Sequence, residues 1–213
     1  MNFDHVARVY RLLESAVFGN ALQRARVRWL DGLEKPRRAL VIGEGDGRFL
    51  SELTRAYPAL EIDCIEASAG MIELAQRRLR SAVSDASSVR FFQEDIRNWT
   101  PGGPYDLVVT HFFLDCFDES ELEEIVRKIA ATLSPGGVWL LADFAMPERG
   151  LGRVCARLLI PLMYRFFRIF AGLQTQRLVD PTPCLIANGL GCECRALSLG
   201  QIVKAERWRR IPG

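Results

Sequence analysis

Three glycines at alternate positions, Gly43, Gly45 and Gly47, directly follow the apolar run Ala39-Leu-Val-Ile42, with Glu44 and Asp46 between them. Such a run closed by glycines reads as a buried parallel strand that ends in a tight turn. A helix over residues 48–56 is expected next. Glycine lets a backbone come very close to a bound molecule, and the helix N-terminus offers N–H groups and positive dipole to an anionic group. The spacing is G-x-G-x-G. The dinucleotide fingerprint G-x-G-x-x-G would place glycine at 48, where this chain has Arg48.

Other reactive side chains fall at the ends of apolar segments. Glu66 closes the segment 61–66, about twenty residues beyond the glycine loop, where α/β nucleotide folds use a carboxylate to accept from ribose hydroxyls. Met71 opens the following helix, either as core or as a rest for a flat base. Asp95 follows the segment 89–94, where it accepts from an exocyclic amine or caps a turn. His111 and Asp143 end two further segments. An imidazole titrates near neutrality and a carboxylate accepts protons, so both are candidate bases. His111 also reads as a hydrogen-bonded packing residue. Asp115 either orients His111 or starts the next loop. Tyr10 and Arg26 lie in the N-terminal segment as ligand contacts or as packing.

The elements that must position these groups alternate. Strands are expected at 39–42, 61–66, 89–94, 105–112 and 138–142, with helices at 48–56, 69–81 and from Asp118 to Leu133. Asp118-Glu-Ser-Glu121 makes a capping-box-like start, and Ser134-Pro-Gly-Gly137 a hard turn. Near-continuous apolar strands alternating with helices indicate a parallel sheet covered on both faces. Two last strands, 193–199 and 202–209, read as an antiparallel hairpin. The expected fold is therefore α/β and Rossmann-like: a seven-stranded, mostly parallel sheet with a C-terminal antiparallel hairpin and helices on both faces. Residues 1–36 form an N-terminal helical lid and 37–213 the ligand-binding domain. Residues 150–173 predict a mostly apolar helix carrying Arg157, Arg165 and Arg168. It serves as a substrate wall, an interfacial element or a cover for the core. Arg177, after it, is placed to meet an anionic substrate.

The 213 residues suit one domain. They are 49% hydrophobic and 25% charged, which fits a soluble protein with a sizeable core. A net charge of +2 points to no polyanionic partner, so nucleic acid is not expected. Six cysteines and two histidines lack metal-ligand spacing, so no metal is expected. The pair Cys192 and Cys194 would lie on one face of a strand. Unpaired cysteines without a secretory signal suggest the cytoplasm.

Five pieces in order, Ala39 to Gly47, Ile65-Glu66-Ala-Ser-Ala-Gly-Met71, Gln93-Glu-Asp95, Tyr105-Asp-Leu-Val-Val109 and Leu133-Ser-Pro-Gly-Gly137, resemble the class I S-adenosylmethionine-dependent methyltransferases. Phe3-Asp-His-Val-Ala-Arg-Val-Tyr10 and Ala142-Asp-Phe-Ala-Met-Pro147 are similar to the ubiquinone/menaquinone C-methyltransferase branch. The family often carries an acid two residues before the first loop glycine, where this chain has Val41.

The resemblance implies S-adenosylmethionine as cofactor. Gly43, Glu44, Gly45 and Gly47 would face its methionine part and ribose, Glu66 and Ala67 the ribose, Met71 the adenine, and Asp95 with Ile96 the adenine amino group. Thr110 and His111 would flank the methionine and the acceptor, with His111, Asp143 and Tyr10 as the catalytic set. Aromatic residues near the crevice suggest a lipophilic or aromatic small molecule as partner; peripheral membrane contact and a homodimer stay open. Rival readings are a cyclisation or rearrangement using the same bound sulfonium, a nicotinamide-dependent oxidoreductase, and a binding protein without turnover.

Overall fold

The computed structural model describes residues 19–83, 85–147, 149, 153, 156, 157 and 178–211. Tyr10, Arg177 and most of the apolar segment 150–173 lie outside the described residues. In chain order the elements are α1 (Ala21–Val27), β1 (Arg38–Ile42), α2 (Arg48–Ala56), β2 (Glu61–Ile65), α3 (Ala69–Ala82), β3 (Val89–Phe92), β4 (Tyr105–His111), a single 3-10 turn (Leu114–Cys116), α4 (Glu119–Ala130), β5 (Leu133–Phe144), α5 (Thr182–Ala187), β6 (Leu190–Ser198) and β7 (Val203–Arg210). The seven strands form one sheet in the order β3-β2-β1-β4-β5-β7-β6. The first five run parallel, and β7 lies antiparallel between β5 and β6. The order reverses between β1 and β4, and such a switch point opens a crevice beyond the carboxyl ends of the strands.

Alternation along the strands builds two cores. Leu40, Ile42, Val108, Trp139 and Leu141 pack on one side under α4. Ala39, Val41, Leu107, Val109 and Leu140 pack on the other, under Phe49, Leu50 and Leu53 of α2. The side chains of adjacent strand residues point to opposite faces, so a strand buried on both faces must be apolar throughout. On the second side, Leu22 and Ala25 of α1 pack on Ala142, Phe144, Val203 and Ala205. The expected N-terminal helix to Leu33 stops at Val27, and residues 28–32 continue as turns.

Two local expectations change. Ser134-Pro-Gly-Gly137 is not a separate turn but lies within β5. Between Tyr105↔Leu133 and Leu107↔Val138 the pairing takes two steps on β4 against five on β5. The extra residues bulge out at Gly136 (φ 73°). Cys192 and Cys194 do not share a face either. A bulge between them sets Cys192 opposite Trp208 and Cys194 opposite Arg207, and consecutive β7 residues point to opposite sides.

Asp63, in the middle of β2 and 5% exposed, ties the parallel strands together. It accepts from Arg90 Nε on β3 at 2.7 Å, from Arg38 on β1 at 3.4 Å and from the Tyr105 hydroxyl of β4 at 2.7 Å. Removing a buried carboxylate leaves such donors without an acceptor. Asp63→Ala is expected to lower stability by about 3 kcal/mol, measured by urea unfolding.

Candidate active site

The carboxyl ends of β1, β2, β4 and β5 bring most of the expected residues together. All three loop glycines have positive φ: 67° at Gly43, 67° at Gly45 and 80° at Gly47. Their surroundings separate them. A Cβ at Gly43 would fall 2.3 Å from Phe113 Cδ2, and one at Gly47 2.6 Å from Ala75 Cα of α3. At Gly45 it would meet nothing within 4 Å. Gly43 and Gly47 therefore let protein pack on protein, while Gly45 alone faces open space, as a loop that receives a ligand requires. Asp46 fastens the loop: Arg78 of α3 donates to its backbone carbonyl at 2.9 Å and to its carboxylate at 3.0 Å, and Arg48 donates at 3.1 Å.

Glu66 reaches the loop from the end of β2. Its Oε2 accepts from the Gly45 N–H at 3.2 Å and its Oε1 from the Ser68 N–H at 3.0 Å. Burial pushes its carboxyl upward, against the pull of those N–H donors. The carboxylate is thus fixed beside the open glycine, each oxygen keeping acceptor capacity for a further donor. This is the geometry a ribose diol requires. Met71 is half-buried in the first turn of α3 and Ala67 is exposed beside Glu66.

Glu44 does something the sequence reading did not foresee. Its Oε1 accepts from the Leu50 N–H at 2.8 Å, so the carboxylate caps α2. The donor expected to meet a ligand anion is engaged by the chain itself. Burial pushes the Glu44 carboxyl up to about 7, opposed by the Leu50 N–H and the charge of Arg26.

Arg26 on α1 reaches the same place, its guanidinium 4.9 Å from the centre of the Phe112 ring. Phe112 has φ 53°, a conformation costing a bulky residue about 1 kcal/mol or more. Its ring also packs 5.1 Å from Phe144. His111 is 7% exposed, sits edge-on to Phe49 at 4.5 Å, and its Nδ1 has no hydrogen-bond partner. Burial and the nearby Arg26 hold its imidazole well below the usual range, hence neutral.

His111 and Asp143 do not meet. His111 pairs with Ala142 in the β4–β5 register, so Asp143 projects from the opposite face. Asp115 bonds to Asp143 rather than orienting His111. Both carboxyls are buried, at 7% and 1% exposure. Burial pushes Asp115 up to about 6, and burial with the neighbouring Asp115 raises Asp143 well above the carboxylate range. Such a pair shares a proton because two adjacent buried charges repel.

Two expected cofactor contacts already hold partners within the fold. Thr110 Oγ1 accepts from Trp139 Nε1 at 2.8 Å within the core. Asp95 accepts from the Arg97 N–H at 2.9 Å and pairs with the Arg97 guanidinium at 2.9 Å, as a turn cap. Ile96 is buried beneath it, and its carbonyl accepts from Lys128. Sequence reasoning missed Arg78 and Lys204. Arg78 lies on a helix without any spacing signal. Lys204 is placed beside Asp143 only by the β5–β7 register.

Residues 39–137 match a family model described as a methyltransferase domain. Malonyl-[acyl-carrier protein] O-methyltransferase of Halalkalibacterium halodurans is 30% identical over 118 residues, 54% of this chain and 41% of that protein. The chain thus spans less than half the length of the first curated relatives it matches. Among solved structures, the mitomycin 7-O-methyltransferase MmcR superposes with a TM-score of 0.71 at 19% identity, covering 99% of this chain and 61% of that one. The N-methyltransferase NodS from Bradyrhizobium japonicum, solved with S-adenosyl-L-homocysteine, superposes with a TM-score of 0.61 at 17% identity, covering 89% and 83%. These two likenesses are of fold. The glycine loop and Glu66 thus lie inside the stretch, residues 39–137, that matches the methyltransferase-domain family.

Proposed function

We propose that the chain transfers a methyl group from S-adenosylmethionine to a lipophilic or aromatic small molecule, the acceptor class suggested by the aromatic residues near the crevice. The observation that carries cofactor binding is the Glu66 carboxylate held against the open Gly45. The bound sulfonium supplies an activated methyl group, so the protein's part is alignment and exclusion of water.

Support for an apolar acceptor comes from Phe112 and Phe113 after β4; the cavity of about 340 Å³ at the end of β5 is mixed, lined by Phe144, Met146, Leu178 and Leu197 but also by Asp180, Arg195, Gln201 and Lys204. Residues 1–36, with Tyr10 and Arg26, act in this reading as a lid. The setting is cytoplasmic, with room for peripheral membrane contact or a homodimer. Among the described residues no helix is long and apolar enough to cross a membrane.

A phenolic or enolic acceptor must also lose a proton. We give that role to the Asp115–Asp143 pair, whose ionised member can take it up; Tyr10 is the other candidate. The rate is then expected to rise with pH through about 6, the value for Asp115, because the acceptor form of a base is the deprotonated one. The Asp115→Asn variant should lose that limb of the profile. An unchanged limb would remove the pair from the mechanism.

The direct test is incubation with methyl-labelled cofactor and a panel of phenols, quinols and polar acceptors, followed by product mass. Label in a phenol or quinol with a gain of one methyl is expected. Label only in polar acceptors or macromolecules refutes the acceptor class, and a product without an added methyl favours cyclisation or rearrangement.

A further inference from the structure

The cavity at the end of β5 holds charged groups that the proposed transfer leaves unused. Residues opposite one another in antiparallel strands share a face of the sheet. Asp143 of β5, Lys204 of β7 and Leu197 of β6 therefore form one row, and Leu141, Glu206 and Arg195 the next. Lys204 is 5% exposed and Glu206 fully buried. Lys204 Nζ lies 3.0 Å from Asp180 and 3.7 Å from Glu206. Arg195 Nε pairs with one Glu206 oxygen at 2.6 Å, and Trp208 Nε1 donates to the other at 2.9 Å. Glu206 thus holds the Arg195 guanidinium by its Nε side. The two terminal nitrogens of Arg195 meet no acceptor among the described residues. Arg195 and Lys204 share the cavity lining with Phe144, Met146, Leu178 and Leu197.

We infer that this cavity binds small aromatic acids, with their carboxylate on the terminal nitrogens of Arg195 and their ring on the apolar residues. The inference narrows the proposed acceptor from an aromatic molecule to an aromatic acid, and as a statement about the acceptor it rests on that reading. The unused capacity in the cavity is donor capacity. Guanidinium and ammonium groups donate and cannot accept, so a ligand must bring acceptor oxygens. A neutral oxygen engages one N–H, whereas a carboxylate meets two parallel ones and carries the matching charge. Asp180 opposes an anion, but its side chain is 66% exposed and already paired with Lys204, so water screens it. Arg195 is anchored from below by buried Glu206, which reduces the side-chain freedom lost when a ligand docks. Lys204 stands in the same row as Asp143. An acid held here lies on the same face of the sheet as the carboxyl pair to which proton removal is assigned.

Titration calorimetry in the presence of S-adenosylhomocysteine tests the assignment with p-hydroxyphenylacetate, its amide and p-hydroxyphenethylamine. The three share one phenol ring and differ in charge at the far end. The acid is expected to bind about tenfold more tightly than the amide, as one charge-assisted pairing provides, and the amine most weakly. Arg195→Gln should bring the acid down to the affinity of the amide and leave the amide within about twofold. Arg195→Lys, a charge without the fork, should keep part of the preference. Glu206 loses a partner in these variants, so Leu197→Asp is the second probe. Leu197 is 49% exposed, and a carboxylate there should repel the acid and spare the amide. An amide that binds as tightly as the acid, tightest binding by the amine, a preference that survives Arg195→Gln or Leu197→Asp, or binding of none of the three overturns the subsite. A bound acid that gains no methyl from S-adenosylmethionine keeps the subsite and refutes the phenolic acceptor. Absence of binding by S-adenosylhomocysteine alone overturns the methyltransferase reading itself.

Discussion

Gly47→Ala is expected to lower the melting temperature sharply, whereas Gly45→Ala should leave a folded protein that no longer holds its cofactor. At Gly47 the added Cβ would lie 2.6 Å from Ala75 Cα, 2.9 Å from its Cβ and 3.2 Å from its carbonyl oxygen. These are largely backbone atoms of a helix, and no rotamer change relieves the overlap. Helices α2 and α3 would have to separate, and the positive φ of 80° adds the steric cost of a left-handed alanine. Overpacking and that cost together come to about 3–4 kcal/mol. At roughly 2–4 °C per kcal/mol for a chain of this size, the fall is about 6–16 °C. Gly45→Ala meets no atom within 4 Å and carries only the conformational cost, about 1–2 kcal/mol. Its methyl projects into the space beside Glu66 that the nucleoside would fill. Thermal unfolding and calorimetry with S-adenosylhomocysteine on both variants decide the matter. A Gly45→Ala protein with unaltered affinity would show that the loop is not the cofactor seat.

Glu44→Gln is expected to be more stable than the parent at pH 8 and equal to it near pH 4. The Glu44 carboxyl has its folded value raised from 4.5 to about 7, so the folded state binds the proton more tightly than the unfolded state. Below pH 4.5 both states are protonated and no difference arises. Between 4.5 and 7 the unfolded chain ionises first, and stability drops as pH rises. Above 7 the full cost of an ionised, buried carboxylate is in place, about 3 kcal/mol for a shift of this size. Glutamine can still accept from the Leu50 N–H without that cost. The melting-temperature gap should therefore open from near zero at pH 4 to about 6–12 °C at pH 8. A gap independent of pH would show that Glu44 carries no such strain.

The short-range features of this protein are written in its short-range sequence. Ala39 to Ile42, the alternate glycines and the start of α4 at Asp118 appear where the chain pattern puts them, and the hairpin expected over 193–209 forms with its first strand begun earlier, at Leu190. Each depends on periodicity or turn chemistry within about ten residues. Glu66 belongs with them, since the end of a strand in a parallel sheet fixes its place at the crevice. The fate of individual polar side chains could not be read in that way. Thr110 turns to Trp139 because β4 and β5 are neighbours in one register. Asp115 finds Asp143 and not His111 because adjacent strand residues face opposite sides of the sheet. The bulges at residues 133–137 and 192–194 reset the facing of every residue around them. Glu44 caps α2 because the loop folds back over that helix, and α1 packs on β5 and β7 so that Arg26 arrives beside it. Strand order, register and helix packing decide who meets whom, and they are set by contacts between residues far apart in the chain. The sequence alone thus determined the scaffold and the edge at which it binds; the tertiary structure chose which side chains at that edge are left for a ligand.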